Sequence, residues 1–188
     1  MNKIRSFIAI EFSDEARNEI SRIEELLKKA DADVKWVAPG SVHMTLKFLG
    51  SVPEEKIPCI SGRLKDMASE IPAFDISLED VGVFPKWEHI KVLWIGIGQS
   101  SERVRDLAER VEQVMAQEGF DRESRAFRSH LTIGRVRSAK NRDKIREIAG
   151  SIKERPVSCR ISRVALFKSD LLKSGAVHSR LSVFDLKG

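Results

Sequence analysis

Apolar and polar positions alternate at the start of the chain and then close into Phe7-Ile8-Ala9-Ile10, which predicts a largely buried strand over residues 3–11. The period then lengthens. Ser13 caps a helix with Asp14 and Glu15 in its first turn and an apolar stripe of Ile20, Ile23, Leu26 and Leu27, running to about Ala30. A short strand at 34–37 and a Pro39-Gly40 turn lead to a strand over 42–49, closed by Gly50. A helix follows from Pro53 to about Ser69, its first part made irregular by Pro58. Strands are predicted at 74–84 and 90–97, and an amphipathic helix at 101–118, ended by Gly119. A strand at 129–136, a charged helix at 141–154 and a strand at 157–167 come next, then a connection over 169–175 and a final strand at 177–186. This order predicts an α+β protein with antiparallel pairing rather than a βαβ array. The layout occurs twice, so a pseudo-twofold internal duplication is expected, with residues 1–188 forming a single bilobal domain.

The 188 residues suffice for one such domain, and no apolar run approaches the roughly 20 residues of a membrane span. The alternating N-terminus reads as a strand, not a signal peptide. Cys59 and Cys159 have no CxxC partner, which fits free thiols in a reducing cytoplasm and excludes a zinc site made by the two. A net charge of +5 points to a polyanionic partner, although a surface rich in Lys, Arg and Glu also suits a heat-adapted protein.

The candidate chemistry lies in one string that occurs twice, His43-Met44-Thr45-Leu46 and His130-Leu131-Thr132-Ile133. The chain holds only two threonines, each two residues after a histidine. Chance would give that roughly once in a few thousand shuffles. On a strand, residues i and i+2 share a face. His43, Thr45 and Lys47 should therefore point into a cleft, with Met44, Leu46 and Phe48 on the core side. His130 and Thr132 should share a face with Gly134, while strict alternation turns Arg135 away unless a bulge intervenes. Two histidines can supply one acid and one base near neutral pH. Two threonine hydroxyls from opposite sides suit a phosphoryl group, and the twofold layout suits in-line displacement at phosphorus. No further metal ligand lies near either motif, and GxSxG, GxxxxGK[ST] and GxGxxG are absent. Neither a metal nor a cofactor is expected.

These residues resemble the two-histidine, HxT-motif phosphoesterase superfamily, and more closely its RNA 2′,3′-cyclic phosphodiesterases, also called 2′-5′ RNA ligases. The resemblance extends over Arg5-Ser6-Phe7-Ile8-Ala9-Ile10, Trp36-Val37, His43 to Gly50, Val81-Gly82-Val83-Phe84-Pro85, Val92-Leu93-Trp94 and Phe127 to Arg135. It implies two mostly antiparallel sheets flanking a central cleft, with helices outside and His43 facing His130. It implies opening of a terminal 2′,3′-cyclic phosphate to a 2′-phosphate, with His43 as proton donor and His130 as acceptor. The near-symmetric residues themselves leave that assignment open. Ligation would be the same chemistry with an RNA 5′-hydroxyl in place of water. Ser129 stands where the family usually has proline. His178 stands where tyrosine is common, and the chain has no tyrosine.

The expected partner is RNA with a 2′,3′-cyclic phosphate end, tRNA fragments included, acted on by a cytoplasmic monomer. Lys47, Arg128 and Arg135 are candidate phosphate contacts, and Trp36 and Trp87 candidate stacking residues, with a core position as the alternative for Trp36. His89 and His178 read as structural or exposed. The rival readings are an enzyme acting on a small cyclic nucleotide or ADP-ribose cyclic phosphate, and a non-catalytic module that binds RNA ends.

Overall fold

Strands and helices are interspersed along the chain, and each half lends two strands to the other half's sheet. A computed structural model gives this fold over residues 2–152, 158–172 and 175–188. The first half contains β1 (Lys3–Glu11), α1 (Asp14–Lys28), β2 (Val34–Trp36), β3 (His43–Pro53), α2 (Ile57–Glu70) and β4 (Phe74–Phe84). The second contains β5 (Val92–Ile97), α3 (Ser101–Gln117), β6 (His130–Val136), α4 (Arg142–Ser151), β7 (Ser158–Ile161), β8 (Arg163–Leu172) and β9 (Gly175–Asp185). One sheet has the order β3-β1-β8-β9 and the other β2-β6-β5-β4-β7. Every ladder between these strands is antiparallel. In the first sheet β1 lies between β3 and the late strand β8; in the second β5 lies between β6 and the early strand β4. That exchange is the pseudo-twofold relation expected from the repeated layout, and the α+β, two-sheet architecture is as expected.

The helices are exchanged too. α2 packs on β8 and β9 and α3 on β3, so both back the first sheet; α1 meets α4 and β7, and α4 meets β4, so both back the second. Their apolar stripes build the main core. Ile20, Ile23 and Leu27 of α1 and Val104, Leu107, Val111 and Met115 of α3 are buried there with Ile8, Ile10, Met44, Leu93, Leu131 and Ile133. Ser13 caps α1 as expected, its Oγ accepting the Ala16 N–H at 3.4 Å. A 3-10 turn at Glu54–Lys56 precedes α2, with Pro58 in the first helical turn.

Two sequence expectations change. The strand expected over 157–167 is two strands. Ile161 pairs with Phe74 in one sheet, and from Arg163 onward the chain pairs with β9 in the other. Cys159 and Ile161 face the core from the second sheet and Val164 to Phe167 are buried in the first, with only half-buried Ser162 and exposed Arg163 between them at the change of sheet. The connection expected after Ser169 is instead strand, because β8 continues to Leu172 and β9 begins at Gly175. The expected helix end at 154 and strand start at Val157 lie outside the described residues.

Candidate active site

A pair of matching bulges shapes the two motif strands. Ala9 pairs with Thr45 and Ile8 with Lys47, so Leu46 is an extra residue on β3; a second, Leu49, follows between the pairs Phe7–Phe48 and Ser6–Gly50. Trp94 pairs with Thr132 and Leu93 with Gly134, so Ile133 is the extra residue on β6. A bulge shifts the alternation by one and re-aims every side chain beyond it. Upstream of it, His43 and Thr45, and His130 and Thr132, share the partly open face of their strands, as the alternation predicts.

Downstream, the alternation reverses. Lys47 does not point into the cleft. It is turned to the helix side and buried, its Nζ 2.7 Å from Glu112 Oε2 and 2.8 Å from the Asp121 carbonyl oxygen. Phe48, expected in the core, is instead 68% exposed and lies against Phe7 on the cleft side, ring centroids 5.9 Å apart. In the second half the same shift turns Gly134 inward and brings Arg135, which is exposed, onto the His130 face.

Both histidines are held alike. His43 Nδ1 is 2.8 Å from the carbonyl oxygen of Ser41, and His130 Nδ1 is 2.7 Å from that of Arg128. A carbonyl only accepts, so Nδ1 carries the proton and donates in each ring. Each Nε2 is thereby left for chemistry. β3 and β6 approach each other between the sheets, which brings the two motif strands to one region.

The rings around each histidine differ. His43 lies among Phe7 (4.8 Å), Phe167 (5.8 Å) and His178 (5.2 Å, edge to face). Phe7, Ala9, Ala165 and Phe167 form a small apolar cluster apart from the main core. Burial pulls the His43 imidazole below the usual histidine range, helped by the nearby His178 and opposed by the hydrogen bond to Ser41 and by Glu11. Burial lowers His178 as well. Glu11 pairs directly with His43 across the strands, and its carboxylate accepts from Arg180 Nε at 2.8 Å. His130 meets the edge of Phe84 at 5.0 Å and Trp94 at 6.3 Å. The Arg128 guanidinium lies over the same Phe84 ring at 6.0 Å.

Trp36 is on the opposite face. It pairs with Gly134, packs against the main core, and carries Lys28 above its ring, so it takes the core position and not the cleft one. Trp87 is likewise packed against the core, and His89 is exposed. The residues that sequence reasoning missed are Phe7, Phe84, Trp94, Phe167 and the true position of His178. The aromatics sit at regular strand positions that read as core; only the bulges and the change of sheet put them beside the histidines. Both cysteines are free, Cys59 exposed and Cys159 buried. Among the described residues no group of three or more His, Cys, Asp or Glu side chains is placed to hold a metal ion, and no helix is long and apolar enough to cross a membrane.

Two antiparallel sheets, each presenting a His-x-Thr strand beside a bulge, define an α+β fold shared with solved structures. TT0787 of Thermus thermophilus matches with a TM-score of 0.81 at 22% identity, over 98% of this chain and 99% of that one. LigT of E. coli in apo form matches with a TM-score of 0.77 at 23% identity, over the whole of both chains. The chain belongs to the 2′-5′ RNA ligase superfamily, whose family model matches residues 12–171. Among curated relatives, the RNA 2′,3′-cyclic phosphodiesterase of Methanothermobacter thermautotrophicus is 38% identical over 98% of this chain and 100% of its own length. That of Thermotoga maritima is 30% identical over 98% and 97%.

Proposed function

We propose that residues 1–188 act as a single bilobal RNA 2′,3′-cyclic phosphodiesterase that opens the terminal cyclic phosphate to a 2′-phosphomonoester without a metal. The observation that carries this is the matched holding of the two histidines: each Nδ1–H is committed to the carbonyl two residues earlier, and each Thr lies two residues later on the same face. The curated relatives named for this activity support it.

In this reading His130 Nε2 takes a proton from water as its oxygen attacks phosphorus. The bond from phosphorus to O3′ breaks, and O3′ takes the proton from His43 Nε2. Thr45 and Thr132 donate hydrogen bonds to the non-bridging oxygens as their charge grows. The donor role for His43 follows the family resemblance and has a consequence, since burial disfavours its charged form. The anionic phosphodiester must therefore bring His43 to its protonated state on binding. An RNA 5′-hydroxyl in place of water would give a 2′-5′ linkage. Arg128 and Arg135 extend the site toward the RNA backbone, and tRNA fragments with cyclic ends fall within this substrate class. We infer a cytoplasmic monomer, in keeping with two cysteines outside any disulfide.

The test is incubation of a short RNA ending in 2′,3′-cyclic phosphate, with EDTA present, followed by product analysis. A 2′-phosphate end is expected; a 3′-phosphate end, or loss of activity with EDTA, overturns the reading.

A further inference from the structure

Positions 47 and 134 are equivalent. Each follows the bulged residue of its motif strand, and each faces away from the cleft. Each also receives the connector that leads into the other motif. On β6, Gly134 is covered by β2, which belongs to the connector before His43. A Cβ on Gly134 would stand 2.7 Å from Val34 Cγ1 and 3.2 Å from Trp36 Cε3, so glycine is what lets β2 lie there. The bulged residue itself, Ile133, accepts the Val37 N–H at 2.9 Å. Four residues later comes Ser41, whose carbonyl holds His43 Nδ1.

On β3 the connector before His130 is held by charge. Lys47 Nζ donates to the Asp121 carbonyl at 2.8 Å, and Glu112 Oε2, paired with Lys47, accepts the Glu123 N–H at 3.3 Å. That connector ends at Arg128, whose carbonyl holds His130 Nδ1. The Lys47 side chain is 4% exposed and that of Glu112 12%. Burying two charges costs desolvation that an apolar pair of similar volume would avoid, so such a pair is weak as a stabilising device. What it supplies here is two directed hydrogen bonds to a connector that has no strand of its own.

We propose that the two bulges are reciprocal latches: the position after each bulge anchors the connector that presents the other histidine's backbone acceptor, which makes Lys47 a positioning residue for His130 and Gly134 a positioning residue for His43. The inference rests on the reading that both histidines act together. It adds that their ring orientations are set across the pseudo-twofold axis and not within each motif.

The test reads the Nδ1 protons of the two histidines by NMR, which does not depend on activity. The first variant pairs Lys47→Met with Glu112→Leu, which removes both charges together and leaves no lone buried ion. The second is Gly134→Ala, which loads only the β2 latch. In the Lys47/Glu112 variant the His130 Nδ1 proton is expected to exchange faster with water while that of His43 is unchanged. In Gly134→Ala the pattern is expected to reverse. Alongside, kcat on a short cyclic-phosphate RNA should fall by about tenfold or more in each, with KM within about threefold, as expected for misplaced catalytic groups. Unchanged Nδ1 exchange in a folded variant, or equal loss at both histidines, overturns the latches. Should the Lys47/Glu112 variant fail to fold, Gly134→Ala decides alone. The crossed exchange pattern in the two variants, with no turnover by the wild-type protein, would instead overturn the proposed activity and leave the latches standing.

Discussion

His178 meets His43 edge to face, ring centroids 5.2 Å apart, with Phe7 shared between them at 4.9 and 4.8 Å. A third imidazole thus touches the first motif histidine, from the strand β9 at the far edge of the sheet. Burial holds both rings toward the neutral form. The free protein should therefore show His43 titrating below the ordinary value of about 6.5. His178→Phe removes a like-charged neighbour and should move the His43 midpoint upward. The sign for stability follows from the same shift. As pH falls below about 6.5 the unfolded chain takes up these protons before the folded one, so stability declines with acid until the folded values are passed. NMR titration of His43 checks this; a midpoint at or above 6.5 in the free protein would contradict the burial account.

The proposed donor role adds a kinetic prediction. If substrate phosphate brings His43 to its protonated form, the basic limb of kcat should lie at higher pH than the basic limb of kcat/KM. Coincident limbs would count against His43 as donor.

Glu24 of α1 is buried, with Lys28 Nζ 3.9 Å from one carboxylate oxygen and no hydrogen-bond partner for the other among the described residues. Burial is the main cause that pushes its carboxyl up to about 7. A raised carboxyl favours the folded state below its unfolded value and loses that advantage as pH climbs through the folded one. Thermal melts should show stability falling between pH 5 and pH 8 by up to about 3 kcal/mol from this group. Glu24→Gln should flatten that slope; an unaltered slope would place the titration elsewhere.

The succession of strands and helices and the His-Thr faces of the two motifs are legible in the sequence because each rests on a local period. Ser13, the stripe of α1 and the alternation around His43 and His130 needed only neighbours along the chain. What was not legible depended on partners distant in sequence. Lys47 and Phe48 exchange faces because β1 runs opposite a bulged β3, and nothing between Thr45 and Gly50 signals the extra residues Leu46 and Leu49. The break at Ser162 was hidden because both sheets bury apolar side chains there. Arg135 needs a bulge to join the His130 face, and the ladder to β5 supplies it.

Arg135 bears on substrate length. It is exposed on the His130 face, as is Arg128 beside Phe84. Arg135→Met should raise KM for a short RNA more than for a cyclic mononucleotide and reduce the salt slope of RNA binding by about one. An equal effect on both substrates would place Arg135 at the reacting phosphate and not on the chain beyond it.

Gly82 makes room for Trp94. A Cβ there would stand 2.1 Å from the indole, whose ring also packs on Phe84 at 5.2 Å. Gly82→Ala should therefore displace Trp94 and disturb the Phe84 edge contact with His130, costing about 1–3 kcal/mol of stability together with a fall in kcat. A variant with native melting and native kcat would show that the indole yields without moving His130.

The central claim is that His43 and His130 form one acid-base pair acting on a cyclic phosphate. Single-turnover cleavage of a short RNA ending in 2′,3′-cyclic phosphate, compared for the wild type, His43→Ala and His130→Ala, tests it most directly. The account predicts a loss of at least about 10²-fold in each single variant, with the folded state intact by circular dichroism. Wild-type cleavage by either variant would contradict it.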